Sequence, residues 1–175
     1  MMRICWVALA ALGFLASAAP AAALPGCDAF LARLRAEGSD LGVDYSRALV
    51  VSRVHANTSS YDIVTRSDVD GTLVCQGDQF VRFEAHVLEP LHPKGAEGFE
   101  KLQQLALHAA LGWDQGKAKS ASRGLEGEAR DYLSASRERG DVYVSGKTER
   151  HEPGGVGVGM IYTEIDRAFV IVGEN

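Results

Sequence analysis

Residues 47–89, RALVVSRVHANTSSYDIVTRSDVDGTLVCQGDQFVRFEAHVLE, decide the fold. At the far end of this segment Val81, Phe83, Ala85 and Val87 are apolar, while Arg82, Glu84 and His86 between them are polar. Successive side chains of an extended chain point to opposite sides, so the alternation predicts a strand over residues 80–89 with one buried and one wet face. Further β-type runs precede it at 47–55, 61–66 and 72–76. Residues 48–51 are apolar on both faces, which predicts an inner strand there. Turn signals separate the runs: Asn57-Thr58-Ser59-Ser60, then Asp68-Val69-Asp70-Gly71 with its hairpin-forming Asp-Gly pair, then Gly77-Asp78. Pro90 and Pro93 end the sheet, because proline has no N–H to give a strand ladder.

On either side of this block the period changes. Cys27, Phe30, Leu31 and Leu34 recur at helical spacing and predict a short helix over 27–37, stopped by Gly38. Phe99, Leu102, Leu105, Ala106 and Ala109 form one apolar stripe and predict a helix over 96–111, ended by Gly112. A second helical stretch follows Trp113 along Ala118, Ala121, Leu125, Ala129, Tyr132 and Leu133, and closes at Gly140. Gly116, Gly124 and Gly127 weaken it by up to ~1 kcal/mol each, so a break near Gly124 is expected. The chain then returns to β-type runs at 142–148, 156–164 and 167–172. Helices gathered between two blocks of strands predict an α+β fold: an antiparallel sheet of about five to seven strands with two or three helices packed on one face.

Residues 1–23 read as a secretory signal peptide, with Arg3 at the positive start, an apolar run over 4–15 and Ala21-Ala22-Ala23 as the small-residue cleavage site. The remainder, 24–175, is expected to form one α+β domain without a transmembrane span, periplasmic or secreted. Leu24-Pro25-Gly26-Cys27 also resembles a bacterial lipobox, which implies a lipid anchor on Cys27 as the competing fate of the leader. Formal charge is −5, and loss of Arg3 makes it one unit more negative. No Lys/Arg cluster tracks a phosphate backbone, which argues against nucleic acid as a partner.

Cys5 leaves with the leader, so Cys27 and Cys75 remain. Cys27 lies on the apolar face of its helix, and Cys75 lies two residues after Leu73 on the same face of its strand. Both sulfurs therefore face one core, and in an oxidising compartment a Cys27–Cys75 disulfide is expected. Without C-x-x-C spacing it is a staple and not a redox centre.

Motifs that suggest chemistry have bland explanations in their context. Asp68-Val69-Asp70-Gly71-Thr72-Leu73 resembles the first motif of the haloacid dehalogenase phosphatases, in which the first Asp is the nucleophile and the second the acid/base. That family places the motif after a buried strand of a parallel α/β domain, whereas Thr65, Arg66 and Ser67 precede it here and a β run follows. A hairpin turn accounts for the same letters. Gly154-Gly155-Val156-Gly157-Val158-Gly159 leads into a strand, although a phosphate-cradling loop should open a helix. His55, His86, His92, His108 and His151 show no metal-ligand spacing, so neither a metal nor a cofactor is implied.

The candidate site is a polar sheet face carrying Arg53, His55, Arg66, Arg82, Glu84 and His86, whose basic groups suit an acidic ligand where they converge. The expected function is a small exported binding module, non-catalytic, for a small molecule or an envelope protein. The alternatives are a hydrolase whose site is assembled only in the fold and an envelope lipoprotein with a structural role.

Overall fold

The computed structural model describes residues 24–48, 57–88, 92–141 and 145–173. Its elements run α1 (Cys27–Glu37), β1 (Asp44–Ala48), β2 (Thr58–Val64), β3 (Asp70–Gln76), β4 (Gln79–Leu88), α2 (Pro93–Leu111), α3 (Gln115–Arg139), β5 (Ser145–Glu152), β6 (Val156–Thr163) and β7 (Asp166–Gly173). The strands form one seven-stranded sheet in the order β1-β2-β3-β4-β7-β6-β5. Every neighbouring pair is antiparallel. Two meanders, β1–β4 and β5–β7, thus join along β4 and β7, and the α2–α3 pair connects them. The helices lie on one face, giving the expected α+β architecture.

The alternation of β4 places Phe83, Ala85 and Val87 in the core as expected, but Val81 is not among the buried residues and Phe80 is. The reason is a register shift: Val74 pairs with Arg82 and Cys75 with Phe80, which leaves Val81 as an extra residue on β4. Such a bulge resets the alternation. It turns both Phe80 and Phe83 toward α1, where their rings lie 5.2 and 5.4 Å from that of Phe30. Edge-to-face and tilted rings at this spacing add to the area they bury.

α1 is tied to the β3–β4 hairpin by three further contacts. Cys27 and Cys75 form a disulfide with Cα atoms 6.3 Å apart. The Cys27 backbone N–H donates to the Asp78 carbonyl at 2.8 Å. The Asp28 N–H donates to Asp78 Oδ1 at 3.0 Å. Gly26 at the N-cap has no side chain to satisfy the first-turn amides, so the turn residue Asp78 supplies the acceptors from across the fold.

The expected break near Gly124 is absent: α3 is continuous. Asp114 caps its start by accepting from the Lys117 N–H at 2.9 Å, and Gly140 ends it in the left-handed conformation at φ 71°. Ala118, Ser122, Leu125, Ala129, Leu133 and Ser136 form a buried small-residue stripe along it. Caps and packing together outweigh roughly 1 kcal/mol per glycine. Ser122 donates to the Gln103 side chain, a buried pair that satisfies both polar groups between α2 and α3.

Several boundaries move. β2 begins at Thr58, inside the expected turn, and ends at Val64 instead of Arg66. Asp68, with φ 55°, sits in the turn that follows, while Asp70 and Gly71 already belong to β3. Thr65 closes this turn, its hydroxyl donating to the Val69 carbonyl at 3.0 Å. α2 starts at Pro93, β5 extends to Glu152, and the parts of the expected strands at 49–55, 89 and 142–144 lie outside the described residues. So does the leader.

Gly146 lets β5 touch α3: a Cβ there would overlap the Ala129 carbonyl oxygen and lie 2.6 Å from the Leu133 backbone nitrogen. Backbone atoms cannot rotate away, so Gly146→Ala is expected to destabilise the protein by about 1–3 kcal/mol or more, read as a lower urea midpoint. The disulfide spans 48 residues, for which chain entropy gives about 4 kcal/mol. The Cys27→Ser/Cys75→Ser double variant is expected to lose a comparable amount in urea melts. A loss under about 1 kcal/mol would show that helix capping and the Phe30 contacts hold α1 without it.

Candidate functional site

The side of the sheet opposite the helices carries the residues that alternate away from the core. On β4 these are Arg82, Glu84 and His86. Register sets their neighbours: Arg82 lies between Val74 and Val172, Glu84 between Thr72 and Val170, and His86 between Asp70 and Ala168. Glu84 is the hub of the row. It forms an ion pair with Arg82, and its Oε1 lies 2.7 Å from His86 Nε2. Its side chain is 17% exposed, against 47% for Arg82 and 42% for His86. Asp166 Oδ1 lies 3.8 Å from His86 Nδ1 and is buried without a hydrogen-bond partner.

Of the remaining expected site residues, Arg66 does not join this row. Arg66 lies past the end of β2; its N–H donates to the Leu41 carbonyl at 2.9 Å, and its side chain passes over Gly42. Positive φ at Gly42, 63°, and the space that its missing Cβ leaves for that guanidinium both favour glycine there. Arg53 and His55 lie outside the described residues.

The Arg82–Glu84–His86 row connects two hollows. At its Arg82 end is a shallow trough of about 210 Å³. Val156, Val158, Met160 and Tyr162 of β6 face the helices and are buried, so Gly157, Gly159 and Ile161 face the open side. The two glycines leave the trough floored by backbone between Val170 and Val172 on β7 and Lys147 and Glu149 on β5. At the His86 end is a cleft of about 1280 Å³, where the ends of β2, β3 and β4 meet the start of α2. Val64, Asp70, His86 and Leu88 line its sheet side, and His92 and Lys94 its helix side.

Sequence reasoning missed both hollows. The trough had a signal in the period-two spacing of Gly157 and Gly159 against Val156, Val158 and Met160, which marks a strand with one face stripped of side chains. The cleft had none, because it joins segments distant in sequence.

The other motifs resolve simply. Asp68 and Asp70 are exposed beside a turn in an antiparallel sheet, not behind a buried parallel strand, so the phosphatase context is missing. His108 lies at the edge of α2, with Nε2 3.4 Å from Glu37 and Nδ1 against the Trp113 carbonyl. Trp113 packs partly buried against the core, with Lys117 Nζ 4.0 Å above its ring. Among the described residues no three His, Cys, Asp or Glu side chains converge to hold a metal ion, and no helix is long and apolar enough to cross a membrane. The chain matches no family model, no curated protein and no solved structure.

Proposed function

We propose that this protein is an exported, non-catalytic binding module that receives a small ligand in the cleft at the end of the open sheet face. The observation that carries this reading is the composition of the cleft. Val64 and Leu88, 50% and 73% exposed, both line it. Exposed apolar side chains gathered in a concavity favour an apolar occupant, since covering them removes apolar surface from water. Asp68 and Asp70 supply negative charge around them, and Lys94 and the imidazoles of His86 and His92 supply positive or proton-donating groups. A largely apolar cavity with a few polar groups is the usual form of a small-molecule site. Glu84 holds His86 from the row behind it, an arrangement that orients the imidazole at the cleft.

The disulfide supports the address. Such bridges persist in oxidising compartments, so a periplasmic or secreted location suits Cys27–Cys75. It also bears on anchoring: the Cys27 sulfur is bonded to Cys75 and cannot at the same time carry a thioether-linked lipid. We therefore favour the soluble exported form over the lipoprotein.

Both parts are testable. Intact mass of protein expressed with its leader in a Gram-negative host is expected to start near Leu24 and to gain two alkyl groups only after reduction. An acylated species starting at Cys27 would overturn the soluble form. For the cleft, the probe is 1-anilinonaphthalene-8-sulfonate, an apolar body with one anionic group. Saturable fluorescence enhancement is expected, weakened about tenfold by Leu88→Asp and unchanged by Tyr132→Ser, which removes another large exposed side chain elsewhere. No saturable binding, or equal loss in both variants, would sink the cleft as the site.

A further inference from the structure

β5 is the last strand of the sheet, with β6 on one side of it. All eight of its residues pair with β6 in one unbroken register, from Ser145 with Thr163 to Glu152 with Val156. Among the described residues no strand pairs with its other side, so a row of backbone N–H and C=O groups is open there to a further strand. Natural edges are commonly blunted by a bulge, a proline or a very short length, and β5 has none of these. It is also held in place, since Gly146 seats it directly on the α3 backbone.

Charge is the other usual protection of an edge, and here its order matters. Lys147 and Glu149 point to the open face, 63% and 41% exposed, and their charged groups lie 3.3 Å apart within the strand. That pair leaves no net charge, yet its order about Thr148 is self-complementary. When two copies of β5 run antiparallel with Thr148 opposite Thr148, Lys147 of each copy stands directly opposite Glu149 of the other. A slip of two residues is the smallest that keeps every side chain on its own face. It sets Lys147 against Lys147 or Glu149 against Glu149, which repels.

A second observation falls on the same edge. Glu128 of α3 accepts from the Thr148 hydroxyl at 2.7 Å and pairs with Arg150, so that flank of the helix lies beside β5. Tyr132, one turn further on, shares the flank and is 58% exposed. We propose that this protein forms a two-fold symmetric dimer through its β5 edges, which continues the sheet across both copies and brings the two α3 helices side by side over Tyr132. Backbone hydrogen bonds supply the affinity, as in other strand additions, and the order of Lys147 and Glu149 selects a second copy of this chain over other strands. The cleft, built from β2, β3, β4 and α2, lies away from this edge and stays open in both copies.

The test is sedimentation velocity over a wide concentration range on the oxidised protein, on Lys147→Glu and Glu149→Lys, and on an equimolar mixture of the two variants. The unaltered protein is expected to show a reversible monomer–dimer equilibrium. Each variant alone sets like charges opposite one another at both cross-strand positions, and should weaken the dimer by about tenfold or more. In the mixture one variant contributes two acidic groups and the other two basic ones, so a mixed dimer regains opposite charges at both positions and should recover the lost affinity. Circular dichroism checks that the variants, altered only at exposed positions, remain folded. A monomer at every concentration, a dimer equally tight in all four samples, or a mixture no tighter than either variant alone would overturn the β5 interface.

Discussion

The packing of Phe30 against Phe80 and Phe83 decides which side of this sheet is inside. A sheet of alternating residues has two faces, and only one can be covered when all the helices dock on the same side. The bulge at Val81 makes the choice firm, because it points two phenylalanines of one strand at α1 where strict alternation would point one. The disulfide and the Asp78 cap then hold α1 against the hairpin that carries them. Hydrophobic burial and covalent linkage thus act on the same joint.

Once that face is closed, everything polar on β4 must lie on the other. Arg82, Glu84 and His86 are central in the sheet, far from its edges, and they are drawn together by Glu84 instead of being scattered in water. Position and pairing distinguish them from an ordinary wet face, whose charges sit singly. The hollows at the two ends of the row have different origins. One comes from the absence of side chains at Gly157 and Gly159, the other from the meeting of three strand ends with α2.

The glycines of this chain divide along the same physical lines. Gly112 and Gly140 serve conformation, each ending a helix at positive φ. Gly146 serves contact, since the β5 backbone meets the α3 backbone there, and this is why β5 can close the far edge of the covered face. Gly127 serves neither role, having open space around its Cβ position, and α3 passes through it without a kink because the helix is capped and packed elsewhere.

Much of this was legible in the chain itself. Local patterning carries secondary structure, and the two periods, two and about 3.6, separated strands from helices in their right order. It also placed Cys27 and Cys75 on apolar faces, so that their pairing followed from the existence of one core. The path of the strands, with β4 beside β7 instead of at an edge, was not legible, because register between distant segments depends on side chains that meet only after folding. The bulge escaped for the same reason: Val81 looks inward by alternation, and only the pairing of Cys75 with Phe80 turns it aside. Arg66, expected on the face with Arg82, was carried away by a turn that closes at Thr65. Composition and periodicity determine which elements form and which face is apolar, and only tertiary contact decides which polar groups share a hollow, because that is a matter of distance across the fold and not along the chain.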